Sequence, residues 1–199
     1  MAASAAYVSG TAVGVGGRIP GNKGIWVGIT CEFVEFALMF IVYFIARYHN
    51  PEAFRNGPEL IWTTAGAINT VLMVTSSFFI ACAVGAMKED NVCRARYWML
   101  AAIVTALGYP IVKMFEIDWN LAHGIDGKAG IFYTVYYYLT LNHLVHACWG
   151  ILGMGWVFAR MSMKAYSAEQ HDGLEALACY WHATDIIWLA IFPLFYVLA

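Results

Sequence analysis

Charge is scarce in this sequence. Only 12% of its 199 residues are Asp, Glu, Lys or Arg, where soluble domains carry about a quarter. That shortage excludes an ordinary soluble globular domain. A net charge of −2 and an isoelectric point near 6.3 supply no basic surface for nucleic acid. Secretory-signal features are also missing. Residues 1–23 are rich in Ala and Gly, with Arg18 and Lys23 late in the segment, so there is no basic start followed by an apolar core and no cleavage is expected. Paired cysteines are absent as well. Cys31, Cys82, Cys93, Cys148 and Cys179 are scattered with no CxxC spacing. Four lie in apolar runs and read as small buried hydrophobes, and neither a disulfide framework nor an iron–sulfur site is implied. Linkers, low-complexity tracts and internal repeats are lacking too, which leaves one compact unit.

What the sequence has in abundance is apolar length. Hydrophobic residues make up 61% of the chain and mean hydropathy is +0.63. Five runs reach the roughly 20 residues a membrane-spanning helix requires: 25–48, 61–87, 97–117, 130–159 and 174–199. The predicted fold is an all-α membrane protein, a five-transmembrane-helix bundle over 25–199 preceded by an N-terminal segment, 1–24. The fourth run is overlong and has to tilt or project. Loop charges predict orientation. Arg18, Lys23, Lys88, Arg94, Arg96, Arg160 and Lys164 fall on one side, and Arg47, Arg55 and Lys128 on the other. The richer set places the N-terminus in the cytoplasm and the C-terminus outside.

Ionisable groups inside such runs are expensive and need partners. They are Glu32 and Glu35 in the first run, Lys113 and Glu116 in the third, His143 and His146 beside Asn142 in the fourth, and His182 and Asp185 in the fifth. Lys113 and Glu116 stand at i and i+3 and can neutralise one another. At about 1.5 Å per residue, Glu32 and His182 both lie roughly 10 Å from the cytoplasmic ends of their runs, and Glu35 and Asp185 roughly 15 Å. The expectation is a central contact between Glu32 and His182 within a shared polar cluster. Two histidine-bearing helices also raise the possibility of haem, yet His146 and His182 differ in depth by about 9 Å, awkward for two axial ligands of one iron. A copper or zinc site from His143, His146 and Asp185 meets the same mismatch without thiolate support. No metal or cofactor is assigned to this chain on those grounds. A proton path, a transporter site and a satisfied packing cluster stay open. The aromatic run Phe132, Tyr133, Tyr136, Tyr137 and Tyr138 reads as interfacial anchoring. Gly150, Gly153 and Gly155 read as a close helix contact, and 118–128, with His123, reads as a solvated loop.

The polar positions also form a pattern. Asn142-His143-Leu144-Val145-His146 followed by Gly150 is similar to H-x-x-H-x-x-x-G, and Tyr180-Trp181-His182 with Asp185 and Trp188 is similar to W-H-x-x-D-x-x-W. Gly24-Ile25-Trp26 leads to Glu32, and Thr75-Ser76-Ser77 and Lys113-x-x-Glu116 complete the set. Together these resemble subunit III of the haem–copper oxidases. Five helices rather than seven look like the short form found in quinol oxidases and in accessory proteins of nitric oxide reductase operons. Pro20-Gly21-x-x-Gly24-Ile25-Trp26, Lys113-x-x-Glu116 and Phe192-Pro193-Leu194-x-Tyr196 look closest to the latter. The resemblance implies a non-catalytic subunit in a bacterial inner membrane, with haem and metal in a partner catalytic subunit. It also implies phospholipid in a cleft, expected here between the first two helices and the last three. A free-standing proton-coupled transporter and a b-type cytochrome are the rival readings.

Overall fold

A computed structural model describes residues 19–198. The chain enters through a turn at Pro20-Gly21 and forms α1, Lys23–His49, whose first turn is capped by the Asn22 side chain accepting from the Ile25 amide at 3.0 Å. A short α2, Pro51–Asn56, and a 3-10 turn, Gly57–Glu59, follow. Then come α3, Thr63–Lys88, α4, Val92–Ala122, α5, Ile131–Ser162, and α6, Asp172–Tyr196. Among the described residues five of these helices are long and apolar enough to cross a membrane.

The ends follow from local chemistry. Asn91 caps α4 by accepting from the Arg94 amide at 3.0 Å. Asp90 and Lys164 adopt φ near +57° and +58° just beyond α3 and α5, the left-handed stop that closes many helices. Pro110 and Pro193 lie inside α4 and α6. Both helices continue through them, which neighbouring helices make affordable in a bundle.

The α3–α4 hairpin is the most extensive helix pair, and α6 packs against α3, α5 and α1. The last helix is therefore the axis of the molecule. Trp181, Trp188, Ile191 and Phe195 of α6 are buried in one continuous core with Met73 and Ile80 of α3, Tyr109 of α4 and Met154 of α5. Indole N–H groups pin that packing: Trp181 Nε1 donates to Ser76 Oγ and Trp188 Nε1 to Thr70 Oγ1, both at 2.9 Å. Close approach needs glycine at two of these contacts. A Cβ at Gly150 would lie 2.8 Å from Trp181 Cε3, and one at Gly66 would lie 2.6 Å from Tyr196 Cδ1.

The structure corrects several sequence expectations. In the connection after α1, Pro51 starts a helical turn that buries Phe54. The third spanning helix runs on to Ala122, and His123 stacks on Trp119 at 3.9 Å, so 118–122 is helix. Phe132, Tyr136 and Tyr137 are buried within the bundle and Tyr133 is half-buried, so of the aromatic run only Tyr138 is exposed. Cys31, Cys93 and Cys148 are exposed, and Cys82 and Cys179 half-buried. Lipid-facing and core-facing side chains are equally apolar in a membrane, so an apolar run does not reveal which cysteines are inside. Nothing lies within 4 Å of a Cβ built at Gly155, so that glycine is no helix contact. Most of the 1–24 segment, including Arg18, lies outside the described residues.

Candidate functional site

Among the described residues two polar clusters stand out at the level of the spanning helices, both involving α6. The first lies where three helix midpoints meet. Phe36 is the central residue of α1, His146 and Ala147 the central pair of α5, and Thr184 the central residue of α6. Glu32 and Glu35 both precede that level, by one helical turn and by one residue, and both reach His146. His146 Nδ1 is 3.5 Å from Glu32 Oε1, and Nε2 is 3.4 Å from Glu35 Oε2. The imidazole thus bridges two carboxyl groups, one through each ring nitrogen. Asn142, one helical turn before His146, donates Nδ2–H to Glu35 Oε1 at 2.7 Å. Thr184 donates its hydroxyl to Glu32 Oε1 at 3.1 Å, a proton it shares with the Tyr180 carbonyl. Phe36 sets its ring edge-on to both His143 and His146.

His143 extends this cluster inward. Its Nε2 faces the Thr184 carbonyl at 3.0 Å and its Nδ1 faces the Tyr109 hydroxyl at 2.8 Å. A carbonyl only accepts, so Nε2 carries the proton, and in the neutral ring Nδ1 accepts from Tyr109. The ring is fully buried, with Tyr109 and Trp188 packed around it.

The second cluster is dry. Lys113 Nζ is 3.1 Å from Glu116 Oε2 and donates to the hydroxyls of Tyr136 and Tyr196 at 3.0 Å each. All three ammonium protons are used. Tyr196 donates to Glu116 Oε1 at 2.6 Å, Tyr136 bonds the same oxygen, and Asn120 Nδ2 reaches Tyr136 at 3.5 Å. Lys113 and Glu116 side chains are wholly inaccessible. Such a pair survives burial because the donors of Lys113 and both oxygens of Glu116 are satisfied, while Asn120 Oδ1 beside them has no partner.

His182 and Asp185 belong to neither cluster. His182 Nδ1 sits 2.5 Å from Ser77 Oγ on α3 and 3.7 Å from Asp185 Oδ2. The expected central pair of Glu32 with His182 is therefore corrected: Glu32 meets His146 and Thr184 across α5 and α6. Depth counted from apolar-run ends misled that expectation. The apolar run of α5 stops short of its end at Ser162, and the run says nothing of how the helix is rotated, so His146 was not placed beside Glu32 and Glu35. Sequence reasoning missed Thr184, Tyr109, Tyr136 and Tyr196 as polar partners. Tyr196 was visible within Phe192-Pro193-Leu194-x-Tyr196 but carried no charge to draw attention to it.

A groove opens on the first cluster. It measures about 800 Å³ and is lined from α1, α5 and α6, with Glu32, Glu35, His146, Trp149 and Tyr180 along its walls. The expected cleft between the first two helices and the last three is replaced by this groove, because α3 is packed into α4 and α6 and does not pair with α1. Among the described residues no three His, Cys, Asp or Glu side chains are grouped so as to hold a metal ion.

The family model for cytochrome c oxidase subunit III matches residues 10–199. The chain belongs to that family. Its curated relatives include cytochrome c oxidase subunit 3 of Thermostichus vulcanus, 28% identical over 88% of this chain and 86% of that protein. A probable quinol oxidase subunit 3 of Staphylococcus haemolyticus is 23% identical over 89% of each chain. A haem–copper oxidase subunit I+III of Aeropyrum pernix is 28% identical over 88% of this chain, which spans only 22% of that longer protein. The chain is thus a multi-pass membrane protein of the subunit III type, a member of a haem–copper oxidase complex. The family carries no redox cofactor of its own. Both clusters bond helix to helix across the bundle.

Proposed function

We propose that this subunit III is the accessory, non-catalytic partner of a haem-bearing catalytic subunit, which it stabilises and helps to supply with protons or gas. The single observation that carries this reading is the family match across 10–199. It is supported by how the polar groups are used. Lys113, Glu116 and His143 are spent on helix-to-helix bonds, so none is free for chemistry on a substrate. The spanning helices are continuous, unlike the broken helices around which many transporters build a substrate site. The fused Aeropyrum protein joins subunits I and III by name, and the same adjacency is proposed for this chain and its catalytic partner. The N-terminus is assigned to the cytoplasm from the loop charges, with the chain in a bacterial inner membrane. Phospholipids are assigned to the apolar flanks, where their headgroups meet interfacial cations such as Arg47, Lys88 and Arg160.

The electron acceptor is oxygen or nitric oxide, and one set of observations favours the second. Three motifs resembling the nitric oxide reductase accessory branch are built into contacts that join helices. The Pro20 carbonyl accepts from Trp26 Nε1 at 3.0 Å, and the Gly21 amide, at φ +71°, faces Glu175 Oε2 of α6 at 3.4 Å. Lys113, Glu116 and Tyr196 form the dry cluster.

The experiment is to isolate the tagged chain from its native membranes in mild detergent. The expected result is a haem-containing partner in equal amount, and a complex that consumes oxygen or nitric oxide. A chain that emerges alone under conditions that preserve other respiratory complexes overturns the reading.

A further inference from the structure

His143 and His146 each set both ring nitrogens against groups inside the bundle. His182 does so with only one. Its Nδ1 faces Ser77 Oγ and Asp185 Oδ2, both on buried residues. Among the described residues nothing bonds its Nε2, and that nitrogen is not buried. The side chain keeps 41% of its surface exposed. It also lies outside the groove lined from α1, α5 and α6.

Depth makes this exposure costly. His182 is two residues from Thr184 at the midpoint of α6, about 3 Å along the axis. That level is inside a hydrocarbon core about 30 Å thick, where an ionisable side chain normally faces protein or a water-filled cavity. The surface around it is apolar. Ile186 and Leu189 follow His182 at i+4 and i+7 and share its face. Val74 and Ala81 share the face of Ser77 on α3, at i−3 and i+4. All four are exposed.

Three kinds of occupant can cover such a face, and two of them fail. Lipid tails carry neither donor nor acceptor, and headgroups stay at the interface, so lipid leaves Nε2 unmatched. A second copy related by a two-fold axis brings the same patch opposite itself. Identical rings in one tautomer then meet donor to donor or acceptor to acceptor. A helix of different sequence has neither defect. It can lay apolar side chains along Ile186 and Leu189 and set one polar group against His182, a bond that joins helices in membranes. We infer that this α3–α6 face docks a membrane-spanning helix of the catalytic partner, with a polar group of that helix bonded to His182 Nε2. That helix belongs to the haem-bearing subunit proposed above, so the docking face rests on that pairing.

The test is photo-crosslinking in native membranes that hold the whole complex. A tagged chain carries p-benzoylphenylalanine in place of Ile186 or, for comparison, of Trp156, which is exposed on α5. The expected result is an adduct between position 186 and the haem-bearing subunit, at least fivefold more abundant than from position 156. Equal or greater yield from position 156 overturns the docking face and leaves the pairing standing. Adducts of position 186 with only a second copy, or with only lipid, overturn it as well. A tagged parent chain that emerges alone from mild detergent overturns the pairing and the docking face together. Recovery of the partner supplies a second readout. Ile186→Trp, which leaves the Ser77–His182 contact in place, should lower the haem-bearing subunit recovered with the tagged chain at least threefold. His182→Leu should do the same, while His182→Gln, which keeps a polar group there, should retain most of it. Unchanged recovery with Ile186→Trp overturns the proposal.

Discussion

The cost of burying charge decides what happens at Lys113. Its ammonium has a carboxylate and two hydroxyls and no access to water, so removing one partner strands the others. Glu116→Gln should destabilise the chain by about 3–5 kcal/mol, the usual penalty for breaking a buried pair from one side. The double variant Lys113→Met with Glu116→Gln should recover more than half of that loss, because no uncompensated charge remains. Reversible unfolding in mixed micelles measures the cycle, and additive losses would show that the two residues act independently. Glu32 behaves differently, because Thr184 and His146 already face one of its oxygens. Glu32→Ala should cost about 1–3 kcal/mol. Glu32→Gln, which preserves the acceptor for Thr184, should cost less than half as much by the same measurement. If Glu32→Gln assembles normally yet slows turnover of the complex as severely as Glu32→Ala, the carboxyl group carries protons and the structural role assigned to it fails.

Among the elements, α5 and α6 test the packing account. Gly150 faces the fully buried Trp181, whereas Gly155 faces open space. Gly150→Val should destabilise by roughly 1–3 kcal/mol through overpacking, while Gly155→Ala should stay within about 0.5 kcal/mol of the parent. Thermal inactivation of the two variants side by side reads the difference, and equal losses would mean that Gly150 is not the contact point. The same helices show how far the sequence could be read. Five spans were legible because each crossing needs about 20 apolar residues and almost nothing else produces such runs. The Lys113–Glu116 spacing was legible because it lies within one helix turn. Glu32 with His146 was not, since both the level and the rotation of α5 had to be known. Level depended on true helix ends, and α5 ends at Ser162 and α6 starts at Asp172, both outside the apolar runs. Rotation depended on an amphipathic signal that a lipid-facing helix does not carry. Thr184, Tyr109 and Tyr196 were illegible for a further reason: uncharged hydroxyls become visible only once a partner faces them.

For the whole molecule, the described residues form a bundle whose polar groups turn inward and whose outer faces are apolar, with Val34, Leu38, Ile41, Phe78, Leu152 and Trp156 all exposed. Lipid and a neighbouring subunit compete for such a surface, and the neighbour proposed here is the catalytic subunit. The account holds that this chain supports that subunit without taking part in its redox chemistry. The most direct measurement is to purify the catalytic complex from cells with and without this chain, then follow haem content and turnover over successive reaction cycles. The account predicts equal haem and similar initial rates, with the complex that lacks this chain losing activity several-fold faster. Loss of haem or of the initial rate when only this chain is removed would contradict it.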